Sequence, residues 1–199
     1  MMLALFLAAA VELQADPAHS TASFTAKHLM VTTVRGEFSK LSSTLSWDKD
    51  DPAKSAITVT IDAASIDTHN EKRDAHLKSA DFFDVQRCPE ITFKSNKISK
   101  AVGAGKYKVS GDLTMRCVTK PATFDAEFEG KGVKAPWGAT VYAASASGKV
   151  KRSEWGLNWN KMLEGGGVVL SDEIGLDVEL EYTASPTAAK KEAQVESKK

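Results

Sequence analysis

The sequence predicts an all-β protein, an extended eight-stranded antiparallel barrel with one short helix inserted around residues 70–79. Three observations favour this fold. Apolar and polar residues alternate along most of the chain, turn-forming residues separate the alternating segments, and only one segment carries helix signals. A closed barrel is preferred to an open sheet because closure removes unpaired strand edges and eight strands leave room for one small ligand.

Size and charge fit a single globular domain. The chain has 199 residues, and a domain of that length buries roughly 70% of the surface that its unfolded chain exposes. The 26 lysines and arginines balance the 26 aspartates and glutamates. No strong field therefore favours an anionic partner, and we expect no nucleic-acid binding.

The N-terminal segment 1–10 predicts a signal peptide. It is apolar and uncharged, it ends in Ala8–Ala10, and it is too short for a membrane-spanning helix, which needs about 20 residues. The protein is therefore expected to be periplasmic or secreted. The alternative reading is a frayed N-terminus, or a start codon placed too late.

Alternation predicts the strands in chain order, and together they place the barrel at 11–183. The apolar faces that define the clearest strands are Ala22, Phe24 and Ala26; Leu41, Leu45 and Trp47; Ile57, Val59 and Ile61; Ala122, Phe124, Ala126 and Phe128; and Ile174, Leu176, Val178, Leu180 and Tyr182. Beyond them, 184–199 is polar and has almost no apolar side chain to bury, which predicts a disordered tail.

The helix is predicted by its capping residues. Asn70 is a good N-cap, Glu71 suits the positive end of the helix dipole, and Asp74 can pair with Lys78 one turn later. The segment should run through Ser79 and lie on the barrel rather than inside it.

Cys88 and Cys117 are a possible disulfide. A hairpin would bring them close together, and an oxidising compartment would favour a bridge. Strict alternation, however, places the two side chains on opposite faces of the sheet unless Pro89 interrupts it. The pattern thus disfavours the bridge without excluding it.

The sequence shows no constellation typical of catalysis or of metal binding. A nucleophile elbow of the GxSxG type is absent, and His69 and His76 lack the spacing of metal ligands. The protein is therefore expected to be neither an enzyme nor a metalloprotein.

The segment 138–149 is composed mostly of small residues, which allows two explanations. Small side chains can accommodate large neighbours in a packed core, or they can line a space that an apolar ligand fills. Native packing densities favour the first explanation when composition alone is considered.

Several motifs, in this order, resemble the YceI-like family of lipid- or polyisoprenoid-binding proteins. They are DPAHS at 16–20, HLMVTTVRGEF at 28–38, IDAASIDTHNEKRDAHLKSADFFDV at 61–85, GDLTMRCVTKPA at 111–122, RSEWGLNWN at 152–160 and DEI at 172–174. The resemblance covers about Leu13 to Tyr182. Cys117 departs from it, because the family usually has glycine at that position.

The resemblance implies a lipocalin-like barrel that is exported to the periplasm and has no catalytic role. Its pore would hold a long apolar chain, isoprenoid, quinone-like, or a fatty amide or acid, with the polar head near one mouth. It also implies a mature N-terminus near Val11. No cofactor is expected other than such a bound lipid, for example a polyprenyl chain or a quinone. A transient membrane contact and a homodimer are possible further partners.

Candidate ligand-binding residues follow from the implied pore together with alternation. The apolar wall is predicted to contain Phe24, Val34, Ile61, Phe93, Phe124, Phe128, Val141 and Ala143. The polar mouth is predicted to contain Arg73, Asp74, His76, Trp159 and Asn160. Two alternatives stay open: Arg73 and Asp74 could simply tie the helix to the barrel, and the barrel could be a structural or stress-related interaction protein with a packed core.

Overall fold

The computed structural model describes residues 10–184. The predicted signal peptide, apart from Ala10, and the predicted tail, apart from Ala184, lie outside the described residues. The strands are β1 Val11–Ala15, β2 Thr21–His28, β3 Thr32–Phe38, β4 Leu41–Trp47, β5 Ala56–Asp62, β6 Ile66–Asp67, β7 Glu90–Lys100, β8 Lys106–Met115, β9 Val118–Phe128, β10 Val133–Lys134, β11 Thr140–Lys151 and β12 Leu170–Ala184. The helix α1 spans Glu71–Lys78, and 3-10 turns lie at Pro52–Lys54, Ala63–Ser65 and Arg152–Trp155.

The strands form a closed antiparallel barrel, which confirms the predicted fold. Hydrogen-bonded neighbours run in the order β11, β9, β8, β7, β5, β4, β1 and β12, and β12 pairs with β11 to close the ring. The short strand β10 adds to β11 outside this ring.

The ring has eight strand positions, which we call staves, and three of these staves are each formed by two consecutive strands that continue one another. Along β12, β1 is paired from Ala184 to Tyr182 and β2 from Glu179 to Leu170, so β1 and β2 continue one another. The same continuity joins β3 to β4 and β5 to β6, because β4 pairs with β1 and β5, and β3 pairs with β2 and β6. Counted in this way, the staves follow one another around the barrel in chain order, as in an up-and-down meander.

The break between β1 and β2 is held by a small polar cluster. The Asp16 amide donates to the Glu181 carbonyl at 2.7 Å, and His19 Nδ1 lies 3.0 Å from an Asp16 carboxylate oxygen. The Glu181 amide in turn donates to the Ser20 hydroxyl at 3.1 Å. These contacts fasten the intervening loop to β12 and keep both halves of the stave in register.

The two ends of the barrel differ. The helix end carries the β2–β3 turn, the connection 68–89 with α1, the β8–β9 turn and the connection 152–169. The opposite end carries the β4–β5, β7–β8 and β9–β11 loops and contains an aromatic cluster, in which the Trp47 ring centroid lies 4.7 Å from that of Phe128 and 5.6 Å from that of Tyr107. None of the helices in residues 10–184 is long and apolar enough to cross a bilayer.

Helix α1 begins as predicted. The Asn70 side chain accepts a hydrogen bond from the Arg73 amide at 3.0 Å, which caps the first turn. The predicted Asp74–Lys78 pair is not among the ion pairs of the described residues. Asp74 instead accepts hydrogen bonds from the amide and hydroxyl of Thr68, because that buried residue precedes the helix and faces it.

Cys88 and Cys117 form a disulfide, with 5.4 Å between their Cα atoms. The argument that placed them on opposite faces was wrong because neither residue belongs to a strand. Cys88 ends a turn in which its amide donates to the Asp84 carbonyl, and Cys117 lies in the tight turn between β8 and β9. Arg116 and Cys117 adopt φ values of 48° and 58°, the left-handed region in which glycine is most at ease.

Candidate functional site

The barrel encloses an apolar cavity. Its volume is about 480 Å³, which is within the range of sites that hold small molecules. Lining residues come from both core clusters, so the cavity extends from the aromatic cluster at Trp47 toward α1. The interior is therefore hollow in part, and a core packed solid from end to end is not what the chain forms.

Both explanations of the small-residue segment hold, at different positions of β11. Ala144 and Ala146 line the cavity, so their small side chains leave space. Gly148 instead accommodates a neighbour, because a Cβ atom at this position would lie 2.6 Å from the Phe124 ring. The Phe124 ring is thereby held against β11, where it packs edge-on to Phe93 with centroids 5.3 Å apart.

Six of the predicted wall residues line the cavity. They are Phe24, Val34, Ile61, Phe93, Phe124 and Phe128. All lie on the inward face that alternation had selected. Whether they contact a ligand stays a prediction.

Val141 and Ala143 were assigned to the wrong face of β11. Ala143 is exposed, and it alternates with Tyr142 and Ala144, which pack on the core cluster that contains Phe128. Tyr142 sets the register of the strand, because its ring stacks on Phe128 at 6.3 Å. Val141 and Ala143 therefore face away from the cavity.

An aromatic cluster stands at the helix end of the cavity. His76 on α1 meets Trp159 with ring centroids 4.9 Å apart and Phe82 with centroids 5.0 Å apart, both edge-on. His76 Nε2 also lies 2.8 Å from an Asp81 carboxylate oxygen. His76 and Trp159 line the cavity, as the predicted polar mouth requires.

Arg73 and Asp74 are held by Thr68, which favours their structural role. Arg73 Nε donates to the Thr68 hydroxyl and its Nη2 to the Thr68 carbonyl, both at 2.7 Å. Asp74 accepts from Thr68, as described above. Arg73 still lines the cavity, whereas Asp74 does not belong to its lining.

Asn160 is occupied by the chain itself. Its amide nitrogen donates to the Leu170 carbonyl at 2.7 Å, and its amide oxygen accepts from the Leu170 amide at 3.1 Å and from the Lys161 amide at 3.0 Å. Asn160 thus fixes the base of the loop 161–169 and lies outside the cavity lining. The mouth prediction was wrong for Asn160 because sequence does not reveal a side chain saturated by the backbone.

Arg152 is the most informative lining residue that the sequence did not identify. The residue is only 6% exposed and borders the cavity. Burial lowers the pKa of its guanidinium from the ordinary value, while the Asp172 charge opposes that shift. The sequence did contain one signal for this residue. Arg152 directly follows β11, whose other inward-facing residues are mostly small or apolar, so a charged residue in that position is unusual.

One group of possible metal ligands occurs among the described residues. Asp16, His19 and Glu181 place their ligand atoms within 4.8 Å of one another at the break between β1 and β2. The His19 side chain is 63% exposed, and its hydrogen bond with Asp16 raises the pKa of His19 and lowers that of Asp16. The hydrogen bonds that fasten the loop between β1 and β2 to β12 account for the closeness of these three side chains.

Residues 13–182 match the family model of the YceI-like domain. The chain belongs to the YceI-like family. This confirms the resemblance carried by the motifs. Among curated relatives, a UPF0312 protein of Staphylococcus aureus strain USA300 is 38% identical over 170 residues, which cover 85% of this chain and 96% of that protein.

Three solved structures share the barrel fold with this chain. BcnA of Burkholderia cenocepacia is similar with a TM-score of 0.71 and 26% identity, over 84% of this chain and 98% of that one. A YCEI protein of Campylobacter jejuni has a TM-score of 0.66 and 32% identity, over 80% and 90%. A polyisoprenoid binding domain from Saccharophagus degradans, at 15% identity and a TM-score of 0.60 over 88% and 99%, shows the fold alone.

Proposed function

We propose that this YceI-like protein binds a long-chain apolar lipid inside its barrel and sequesters or carries it. The observation that supports this most directly is the cavity of about 480 Å³ with aromatic and aliphatic walls and a more polar helix end. Each CH₂ group moved from water into such a space gains about 0.8 kcal/mol, so affinity grows with chain length. Isoprenoid, quinone-like and fatty amide or acid chains all fit this chemistry.

The Saccharophagus degradans neighbour is a polyisoprenoid binding domain. An isoprenoid ligand is compatible with the cavity of the present chain as well, although the two proteins share only the fold. The absence of catalytic activity remains a prediction of this proposal. A packed interaction barrel is the competing function, and the cavity argues against it.

A blocking substitution tests lipid binding. Ala146→Phe should fill the middle of the cavity and abolish binding of long-chain lipids, because Ala146 lines it. Ala143→Phe is the matched control, since Ala143 lies on the same strand but is exposed. Native mass spectrometry and organic extraction of the purified proteins should find a long-chain lipid with the wild type and with Ala143→Phe, but not with Ala146→Phe.

Two outcomes would reject the function. In the first, the wild type carries no lipid and binds no added prenyl or fatty chain. In the second, Ala146→Phe binds such chains as well as Ala143→Phe does, which would place any bound lipid outside the barrel.

We also propose that the helix end touches membranes transiently when lipid enters or leaves. Leu29, Met30, Val31 and Met162 form what we call the apolar rim, and their exposed fractions are 42%, 57%, 77% and 78%. The rim adjoins the cavity, because the Leu29 amide donates to the carbonyl of the lining residue Val169 at 2.8 Å. Exposed apolar side chains at a pore mouth suit insertion into a bilayer surface.

Val31→Glu tests this contact against Val102→Glu. Val102 is 98% exposed at the opposite end of the barrel, so it matches Val31 in type and in accessibility. Val31→Glu should slow the exchange of a fluorescent fatty acid with phosphatidylcholine–phosphatidylglycerol vesicles, whereas Val102→Glu should not. If Val31→Glu and Val102→Glu slowed the exchange equally, the proposal that the apolar rim contacts the membrane would be rejected.

Export to the periplasm or the exterior is the location that we propose. The predicted signal peptide and the disulfide both support it, because disulfides persist in oxidising compartments. Cell fractionation, with alkylation of free thiols before lysis, would test it. Recovery of a reduced protein in the cytoplasm would contradict it. Light scattering of the same purified protein would test the possible homodimer.

A further inference from the structure

Arg152 is a buried cation at the wall of an apolar cavity. It begins the 3-10 turn that follows β11, and its guanidinium is held by two backbone carbonyls. Nε donates to the Ser171 carbonyl at 2.9 Å, and Nη1 donates to the Leu157 carbonyl. These bonds fix the plane of the guanidinium, so its remaining N–H groups have a set direction.

The positive charge of Arg152 lacks a close partner within residues 10–184. None of the ion pairs there includes Arg152, and its Nη2 makes no hydrogen bond to the described chain. Asp172 is the acid whose charge acts on it, but the Asp172 oxygens accept from the Ser153 amide at 3.0 Å and from the Ser153 hydroxyl at 2.8 Å. An arginine stays protonated even when buried, so burial without a counter-ion is costly.

Two other arginines near the helix end differ from Arg152 in burial or in position. Arg73 is bound by Thr68, and Arg116 donates through Nη1 to the Gly156 carbonyl at 2.8 Å and through Nη2 to the Ala80 carbonyl at 2.9 Å. Arg73 Nη1 also has no partner within residues 10–184, but Arg73 is only half-buried, and Arg116 does not line the cavity. Arg152 alone among these three is buried, lines the cavity and keeps a terminal nitrogen without a partner in the described chain. That combination is typical of a ligand-binding arginine rather than of one that only joins loops.

We propose that Arg152 binds an anionic oxygen headgroup, a carboxylate or a phosphate, of the lipid whose chain occupies the cavity. This inference rests on the proposed lipid binding and names the ligand class. The charged head supplies the missing counter-ion, and the apolar chain extends from it along the wall toward the aromatic cluster at Trp47. A neutral lipid of the same length gains the apolar burial but leaves the cation unpaired.

A ligand series on the delipidated wild type tests the proposal without relying on any variant. Palmitate and hexadecyl phosphate share their chain length with hexadecanol and differ in headgroup charge. Palmitate and hexadecyl phosphate should bind at least about tenfold more tightly than hexadecanol, as expected for hydrogen bonds to a charged group in a buried site. Isothermal titration calorimetry measures the three affinities.

Variants then assign the preference to one side chain. Arg152→Met should abolish the preference for palmitate while hexadecanol binds as before, and Arg152→Lys should restore part of it. Arg116→Met is the matched control, because Arg116 also donates to two backbone carbonyls near the helix end but does not line the cavity, and its preference should stay unchanged. Circular dichroism checks that each variant folds, since Arg152→Met leaves two buried carbonyls without their donor.

The outcomes separate this inference from the function on which it rests. Equal binding of palmitate and hexadecanol by the wild type overturns the headgroup assignment and leaves lipid binding intact. Binding of none of the three overturns both. A preference for palmitate that survives in Arg152→Met, or is lost in Arg116→Met, would show that Arg152 does not bind the anionic headgroup.

Discussion

The Ser43 and Tyr182 side chains make a buried polar contact in the middle of an apolar core. Their hydroxyl oxygens are 2.6 Å apart, and the Ser43 hydroxyl also lies 3.0 Å from the Thr58 carbonyl. Since a serine has one O–H to donate, donation to Thr58 requires Tyr182 to donate to Ser43. The pair thereby joins β4 to β12 through the barrel interior.

Removing the acceptor should cost more than removing the donor. Ser43→Ala leaves the Tyr182 hydroxyl buried without a partner and should lower the free energy of unfolding by about 1–3 kcal/mol, whereas Tyr182→Phe should cost about 1 kcal/mol. Urea denaturation measures both. Ser42→Ala, on the exposed face of the same strand, is the control and should have almost no effect. Equal losses for Ser43→Ala and Tyr182→Phe would contradict this assignment of the donor.

Tyr182 also makes stability depend on alkaline pH. Burial raises the pKa of Tyr182 from 10.0 to about 12, while the hydrogen bond with Ser43 opposes the shift. The folded state therefore keeps a proton that the unfolded chain releases, so this stability is complete below pH 10 and is lost as the pH rises toward 12 and beyond. Compared with Tyr182→Phe, the wild type should lose about 2 kcal/mol more between pH 9 and pH 12. Parallel losses in both proteins would show that Tyr182 ionises freely in the fold.

At the scale of elements, the disulfide ties the turn before β7 to the β8–β9 turn. It joins residues 29 apart, and closing a loop of that length lowers the conformational entropy of the unfolded chain, which stabilises the fold by about 3.6 kcal/mol. Reduction, or Cys88→Ser with Cys117→Ser, should lower the melting temperature by roughly 7–14 °C for a protein of this size. Differential scanning calorimetry measures the shift, and a reducing agent should have no effect on the double variant. An unchanged melting temperature on reduction would show that the bridge does not constrain the unfolded state.

The inward face of a strand was predictable where large apolar residues alternate with charged ones, and it was not predictable where all the residues are small. The faces of β9 and β12 follow from Phe124, Phe128 and Leu176, because large apolar residues alternate with charged ones. On β11, alanine, serine and glycine alternate with one another and carry no such contrast, so Ala143 was placed inward. The register of that strand is set by tertiary packing of Tyr142 on Phe128, which a local pattern does not contain.

The candidate site was predictable in its apolar wall and less so at its mouth. Wall residues are selected by burial, which alternation reports. Mouth residues are selected by their hydrogen-bond partners, and these come from distant parts of the chain: Thr68 for Arg73, and Leu170 for Asn160. Arg152 was missed for the same reason, since only the closed barrel shows that its charge lacks a neighbour.

At the scale of the whole molecule, a bound lipid should stabilise the barrel. Ligand present at one hundred times its dissociation constant adds about 2.7 kcal/mol, which corresponds to a rise in melting temperature of roughly 5–11 °C. Thermal unfolding of delipidated protein, before and after addition of palmitate, measures this rise. Ala146→Phe should show no rise, and Ala143→Phe should behave as the wild type does. A rise in Ala146→Phe would mean that palmitate stabilises the protein from outside the cavity.

The last strand carries a consequence for how the protein is made. Over its 15 residues β12 pairs with β11 on one edge and with the first stave, β1 and β2, on the other. Until β12 has left the ribosome, β1 and β2 have no partner strand on that side, and the nascent sheet stays open with unpaired backbone groups along its edge. A lipid can enter the unfinished barrel through this open side at that stage, before β12 pairs with β11 and leaves the end of the barrel as the route to the cavity.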